Sequence, residues 1–451
     1  MNIKSRVSTL FALIGVMFLV AGILTPFVAA QDDGDMVALG KAIFFDEHLS
    51  ANNKQSCASC HAPETGFTSP DEKVNASGAV VPGTIPHRFG NRKPPTSAYA
   101  GDSPTLFFND STNRWIGGMF WDGRATGAVL GDPLAEQAQG PFLNPLEQAL
   151  GDETVLCVKV MQSEYAGLFN ELWGQTIADC GVNIDSVYEN IARSVAAYER
   201  SAEVNPYTSK FDLFWDNAIA AGKDVTRITC GNSNMGCGMP AFGCPCGGSV
   251  ENRWGTFQGL GLTKEELQGL AAFNDTSRGN CASCHSLQPG PEGYPLFTDF
   301  GYDNLGIPKN PENPFYSMPP AWNPEGEDWI DYGLGGYLES AGYTEEVYST
   351  ELGKFKTTTL RNVDMRPSDD FVKAYGHNGY FKTLRDIVFF YHWRGMIDGG
   401  CMGMGCTPQM ISMFPPPEVD QNRVMLSMFP MPLVDRMVIF LETLTDGYFV
   451  R

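Results

Sequence analysis

Two copies of one pentapeptide, Cys57-Ala58-Ser59-Cys60-His61 and Cys281-Ala282-Ser283-Cys284-His285, constrain this chain more than any other feature. With 12 Cys and 6 His in 451 residues, composition alone would produce such a Cys-x-x-Cys-His pattern about 0.004 times per chain. The spacing has a chemical reason. Two thiols so placed can add to the two vinyl groups on one porphyrin edge, and the adjacent imidazole then reaches the iron as an axial ligand. Cys57, Cys60, Cys281 and Cys284 are therefore read as haem-attaching residues, with His61 and His285 as iron ligands. Structural zinc or a thioredoxin-like pair would use the same residue types. Zinc, however, needs four clustered ligands, and neither motif has a second Cys or His pair nearby.

One haem module occurring at 57 and again at 281 implies two domains of comparable size, and 43 % hydrophobic residues suffice for two cores. Asp185 to Ser201, with Ile191, Val195, Ala196 and Tyr198 on one side, reads as an amphipathic helix. Thr263 to Phe273 reads as another, started by Thr263, Glu265 and Glu266. No strand alternation of any length competes, so the expected class is all-α. The 49 Gly and 30 Pro predict long ordered loops. A net charge of −21 excludes a phosphate-binding face for nucleic acid and favours a basic or small neutral partner. Lys4 and Arg6 precede an apolar run from Val7 to Val28, followed by Ala29-Ala30. This reads as a signal peptide over 1–30 and an extracytoplasmic, oxidising location, with membrane attachment only if the segment stays uncleaved.

Further segments carry a resemblance. Leu39 to Ser50, Phe120-Trp121-Asp122-Gly123-Arg124, Phe355 to Asn362 and His377-Asn378-Gly379 are similar, in type and order, to the bacterial dihaem cytochrome c peroxidase and MauG superfamily. The likeness runs from about residue 36 to the C-terminus. It implies two cytochrome c-like haem domains, a peroxidatic one over 31–216 and an electron-transfer one over 253–451, with the active site near their interface. Two Cys/Met-rich stretches, 217–252 and 394–433, read as insertions.

The resemblance places Gln137, Pro141 and Glu147 over the open side of the N-terminal haem, with Glu147 as the acid/base that moves a proton during O–O cleavage. The residues alone allow a structural alternative, in which Asn144, Pro145 and Glu147 form the start of a helix. Trp121 stands where the family has an indole between the haems, although a packing role fits the residue type equally. Fourteen positions after His377 is Tyr391, where conventional peroxidases carry an axial Met and MauG-like members a Tyr. Tyr391 is thus the expected sixth ligand of the second iron, with His392 and Met396 as competitors. His87 lies too close to the following Arg92-Lys-Pro-Pro-Thr96 to match the family's distal His, and reads as a surface residue. His377 is expected near the interface or a haem propionate. Lys93 occupies the position of a calcium-liganding Asn, which puts the family's interdomain calcium in doubt, although backbone carbonyls could still serve.

Eight cysteines are left: Cys157, Cys180, Cys230, Cys237, Cys244, Cys246, Cys401 and Cys406. Their even number suits disulfides, and Cys157 with Cys180 could staple two helices, but spacing assigns no pairing. Met396, Met402, Met404, Met410, Met413, Met425, Met428 and Met431 could bind Cu(I) or provide an adaptable contact surface. The expected function is reduction of H₂O₂ to water with electrons from a small cytochrome c or cupredoxin. Oxidation of a partner protein in the manner of MauG, or electron carriage by two six-coordinate haems, are the rivals. A homodimer stays open.

Overall fold

The computed structural model describes residues 25–230, 250–399 and 406–451. Most of the signal segment, Cys237, Cys244, Cys246, Cys401, Met402 and Met404 lie outside the described residues. The chain is mostly helical, with two small antiparallel sheets. In one, β1 (Phe107–Asn109) pairs with β2 (Arg114–Ile116) so that Phe108 opposes Trp115. In the other, β3 (Tyr302–Asp303) pairs with β4 (Phe355–Lys356), Tyr302 opposing Lys356. These correct the all-α expectation slightly: strands of two or three residues are too short to show an alternating pattern. An Ile116–Gly301 bridge joins the two sheets.

Two large hydrophobic cores form, beside a small cluster of Trp115, Tyr302, Leu334 and Leu338. The first draws buried residues from Leu39 to Tyr207, with Leu296. The second draws them from Phe211 to Leu444. Each is built on a pair of crossing helices. In the first, α1 (Thr25–Phe45) packs against α4 (Ile184–Glu199), and α2 (Pro133–Leu143) also lies on α4. In the second, which also contains α5 (Lys210–Ala220), α6 (Lys264–Asn274) packs against α8 (Pro432–Glu442).

A glycine sits at each crossing. A Cβ at Gly40 of α1 would lie 1.8 Å from Ser194 O, and one at Gly269 of α6 would lie 2.0 Å from Arg436 O. Any side chain would force the helices apart, so both crossings require Gly. In each half the glycine-bearing helix is the one that precedes the Cys-x-x-Cys-His motif.

Local chemistry sets these helices. α4 buries Val187, Ile191, Val195 and Tyr198 along one face, within a residue or two of the span expected from periodicity. α6 begins at a reciprocal cap, with Glu266 N donating to Thr263 Oγ1 (3.3 Å) and Thr263 N donating to Glu266 Oε2 (2.7 Å). α3 (Glu153–Met161) is tied by a Cys157–Cys180 disulfide to the turn at Ile177–Gly181, Cα–Cα 5.6 Å. Cys406 is also disulfide-bonded. No described helix is long and apolar enough to cross a membrane.

Candidate functional site

Both Cys-x-x-Cys-His segments open with a single 3₁₀ turn, Cys57–Ser59 and Cys281–Ser283. His61 N donates to Cys57 O at 3.0 Å and His285 N to Cys281 O at 2.8 Å, so each imidazole is set one turn from its thiols. The rings share a second device. His61 Nδ1 lies 3.1 Å from Phe67 O, and His285 Nδ1 lies 2.9 Å from Phe297 O. With Nδ1–H donating to the carbonyl, the Nε2 lone pair is left for a metal. Burial holds the His61 imidazole down to about 4 and lowers that of His285, so both are neutral at pH 7, as iron ligation requires.

The four motif thiols are not disulfide-bonded. Burial pushes Cys60, Cys281 and Cys284 up to about 12, so they are protonated thiols at pH 7. This donor set fits two c-type haems.

A cavity of about 290 Å³ opens beside the second motif, lined by Cys281, Cys284 and His285 together with Trp121, His377 and Tyr391. The helix α7 (Leu384–Asp398) lends it one face, Leu384, Ile387, Val388 and Tyr391. The cavity wall includes Tyr391 but not His392 or Met396. His392 turns its Nδ1 to Phe429 O at 2.6 Å, and Met396 is buried in the second core.

Trp121 stands at the seam between the cores. It also lines a smaller void of about 30 Å³ shared by Tyr99 and Met119 from one side and Phe300 and Thr359 from the other. Its indole N–H donates to Lys93 O at 2.8 Å, which fixes the ring. Beside it His377 stacks on Phe355, centroids 3.5 Å apart and planes within 8°. The neighbouring Asp122 is buried. Burial alone would raise its carboxyl, but Arg92 and Arg124 hold it below the usual range, and Arg92 also binds Asp331 at 2.6 Å.

Gln137 and Pro141 lie on α2, and Glu147 follows in the turn beyond it. Gln148 N donates to Pro141 O at 3.2 Å, folding that turn back on the helix. Asn144 does not start a helix, as the structural alternative had it. It caps the C-terminal end of α2, its N–H on Gly140 O at 3.1 Å, and its Nδ2 donates to Glu147 Oε1 at 2.9 Å. Burial raises the Glu147 carboxyl, while Arg124 and Asn144 pull the other way. Glu147 also lies within electrostatic reach of Cys57 and Cys60. Arg124 stacks over Phe120 at 3.8 Å.

His87 is exposed on a loop with φ of 63°. Lys93 is buried, with its Nζ on Pro94 O at 2.9 Å. An ammonium held there is a poor companion for a divalent cation. Sequence reasoning missed Glu418, whose side chain is only 4 % exposed, and the buried Lys356 and Glu199. Glu418 lay in a stretch read as an insertion, Lys356 lay inside the Phe355 to Asn362 segment quoted only for its resemblance, and Glu199 carries no motif of its own.

The chain resembles known proteins along most of its length. A profile of the di-haem cytochrome c peroxidase family matches residues 34–219. The chain is 30 % identical over 425 residues to methylamine utilization protein MauG of Paracoccus denitrificans, covering 93 % of this chain and 90 % of that protein. It is 24 % identical over 428 residues to cytochrome-c peroxidase IdrP2 of Denitromonas iodatirespirans, covering 90 % and 88 %. Among solved structures, the diheme peroxidase BthA from Burkholderia thailandensis superimposes with a TM-score of 0.63 and 27 % identity, covering 92 % of this chain and 87 % of that one. Two haem-attachment motifs, the indole at the seam and a likeness that spans nine-tenths of the chain place this protein in the di-haem cytochrome c peroxidase and MauG family.

Proposed function

We propose that the protein is an extracytoplasmic dihaem peroxidase that reduces H₂O₂ to two waters with two electrons and two protons, the electrons coming from a small cytochrome c or cupredoxin. The observation that carries the reading is Glu147, a carboxyl with its pKa raised by burial and held by Asn144 beside the first pair of haem-attaching cysteines. In this reading each core holds one haem, on Cys57, Cys60 and His61 in the first and on Cys281, Cys284 and His285 in the second. When bound, the first haem supplies an iron that takes peroxide and the second an iron that passes electrons.

The residues do the rest. Asn144 occupies Glu147 Oε1, so Oε2 carries the proton that moves from one peroxide oxygen to the other. Gln137, one turn before Pro141 on the same helix face, orients the bound peroxide with its amide. Trp121, fixed by Lys93 O, relays electrons across the seam.

Tyr391 favours a second reading. A phenolate on the second iron stabilises its higher oxidation states, whereas a thioether raises its potential, and the sequence likeness to MauG extends over nine-tenths of the chain. Oxidation of side chains on a partner protein would follow.

The test is H₂O₂-dependent oxidation of ferrocytochrome c by the holoprotein, as isolated and after one-electron reduction. Turnover in either state supports the peroxidase. Its absence in both, with peroxide still shifting the haem bands, supports the MauG-like reading. A Tyr391→Met variant is expected to alter the spectrum of the second haem and raise its potential; an unchanged spectrum and potential would remove Tyr391 as a ligand.

A further inference from the structure

His377 and Glu418, each with a side chain only 4 % exposed, both line the cavity that contains Cys281, Cys284 and His285. His377 Nε2 and Glu418 Oε2 face each other at 3.9 Å, beyond hydrogen-bond reach, and neither atom has a hydrogen-bond partner. A buried orphan polar atom is costly, and two that face each other call for a third group.

Neither side chain can turn away. The His377 ring is clamped on Phe355 and set edge-on to Trp121 at 6.4 Å, while its carbonyl accepts from Lys93 N at 2.9 Å. Glu418 Oε1 accepts from Asp331 N at 3.1 Å, and Glu418 N donates to Ile307 O at 3.1 Å. The other groups facing the pair are already committed or uncharged. Asp331 and Asp122 share Arg92, and the Tyr316 hydroxyl lies against the Glu418 carboxyl.

Building on the dihaem reading above, we propose that the His377–Glu418 pair seats a carboxylate of the second haem and takes up a proton when that haem is reduced. A porphyrin attached through its vinyl edge to Cys281 and Cys284 directs its two propionates away from that edge. A propionate at the pair would accept from the imidazole N–H and would share a proton with Glu418, since two adjacent carboxylates resist ionising together. The balance is one electron into the iron from the donor and one proton from solvent into the pair and its propionate; both leave on oxidation. The proton belongs to the coupled group rather than to one residue. Glu418 comes from the stretch 394–433, which thereby supplies an internal carboxyl to the site.

The experiment is a spectroelectrochemical titration of the holoprotein between pH 6 and 9, with the two haems resolved by their absorption bands and counted by pyridine haemochrome. In the wild type the potential of the second haem is expected to fall with pH by up to about 59 mV per unit, a tenfold change per unit for one electron. Glu418→Gln should flatten that slope and leave the first haem's profile unchanged. His377→Gln provides a second variant, with the same loss of slope expected. A wild-type potential independent of pH, or a slope unaffected by either variant with two haems bound, would overturn the inference alone. A count of one haem per chain would overturn the dihaem reading with it.

Discussion

Glu147 offers the sharpest prediction at the level of single residues. If its carboxyl moves the proton between peroxide oxygens, Glu147→Gln keeps size and polarity but removes the titrating group. Turnover should fall by about 10² to 10⁴, with the haem count and the ferric spectrum retained. A kcat within threefold of the wild type would leave Glu147 as a turn residue held by Asn144. What the sequence shows at this scale depends on how local the chemistry is. Cys57, Cys60 and His61 must lie within five positions to attach one haem, so their role is written in the order of the residues. The His377–Glu418 pair is different. Its members are 41 positions apart, and only the packing of Phe355 and the Asp331 amide turns them toward each other.

At the scale of elements, helix α4 ends on a buried acid. Glu199 is 3 % exposed, its Oε2 has no hydrogen-bond partner, and burial raises its carboxyl to about 8. The unfolded chain releases this proton above about 4.5 while the folded one keeps it to about 8. The folded state therefore binds more protons in that window, and stability falls as pH rises through it. At pH 7 the deficit is about 3 kcal/mol. Glu199→Gln removes it: its urea midpoint should exceed that of the wild type at pH 7 and match it near pH 4.5. Equal differences at both pH values would show that the gain is packing. The helices themselves were largely readable, because α4 has a periodic apolar face and α6 a cap at Thr263. The turn after α2 was less so. Asn144, Pro145 and Glu147 carry the signature of a helix start, yet Asn144 serves as the closing cap of the preceding helix, and nothing local distinguishes the two uses.

At the scale of the whole molecule, segments from both halves converge on the seam between the cores. Arg361 and Asp212 are fully buried there and paired at 2.9 Å, and the guanidinium also covers Tyr99 and Tyr207 of the first half and Phe297 of the second. Asp212→Ala strands a buried cation and should cost about 3–5 kcal/mol, read as a lower urea midpoint; a loss below 1 kcal/mol would mean that ring contacts alone hold Arg361. Lys356 and Lys373 add amino groups bonded to oxygens of both halves, and burial lowers the pKa of both, that of Lys356 to about 7. Lys356 reaches Ser103, Gly117 and Phe300, and Lys373 reaches Thr65, Asn362 and Met365.

The chain as a whole carries −21, so a donor protein would approach a negative body. Steering by that field raises association by about 10- to 1,000-fold and is lost as salt shortens the screening length from about 30 Å at 0.01 M to about 8 Å at 0.15 M. With a basic cytochrome c as donor, kcat/KM should therefore fall at least about tenfold across that range. An acidic donor should gain or stay level over the same range, because repulsion is screened too. A small neutral reductant provides the control and should show no slope. If basic and acidic donors followed the same salt curve, the net charge would have no part in choosing the partner, and the docking surface would have to be sought in local contacts.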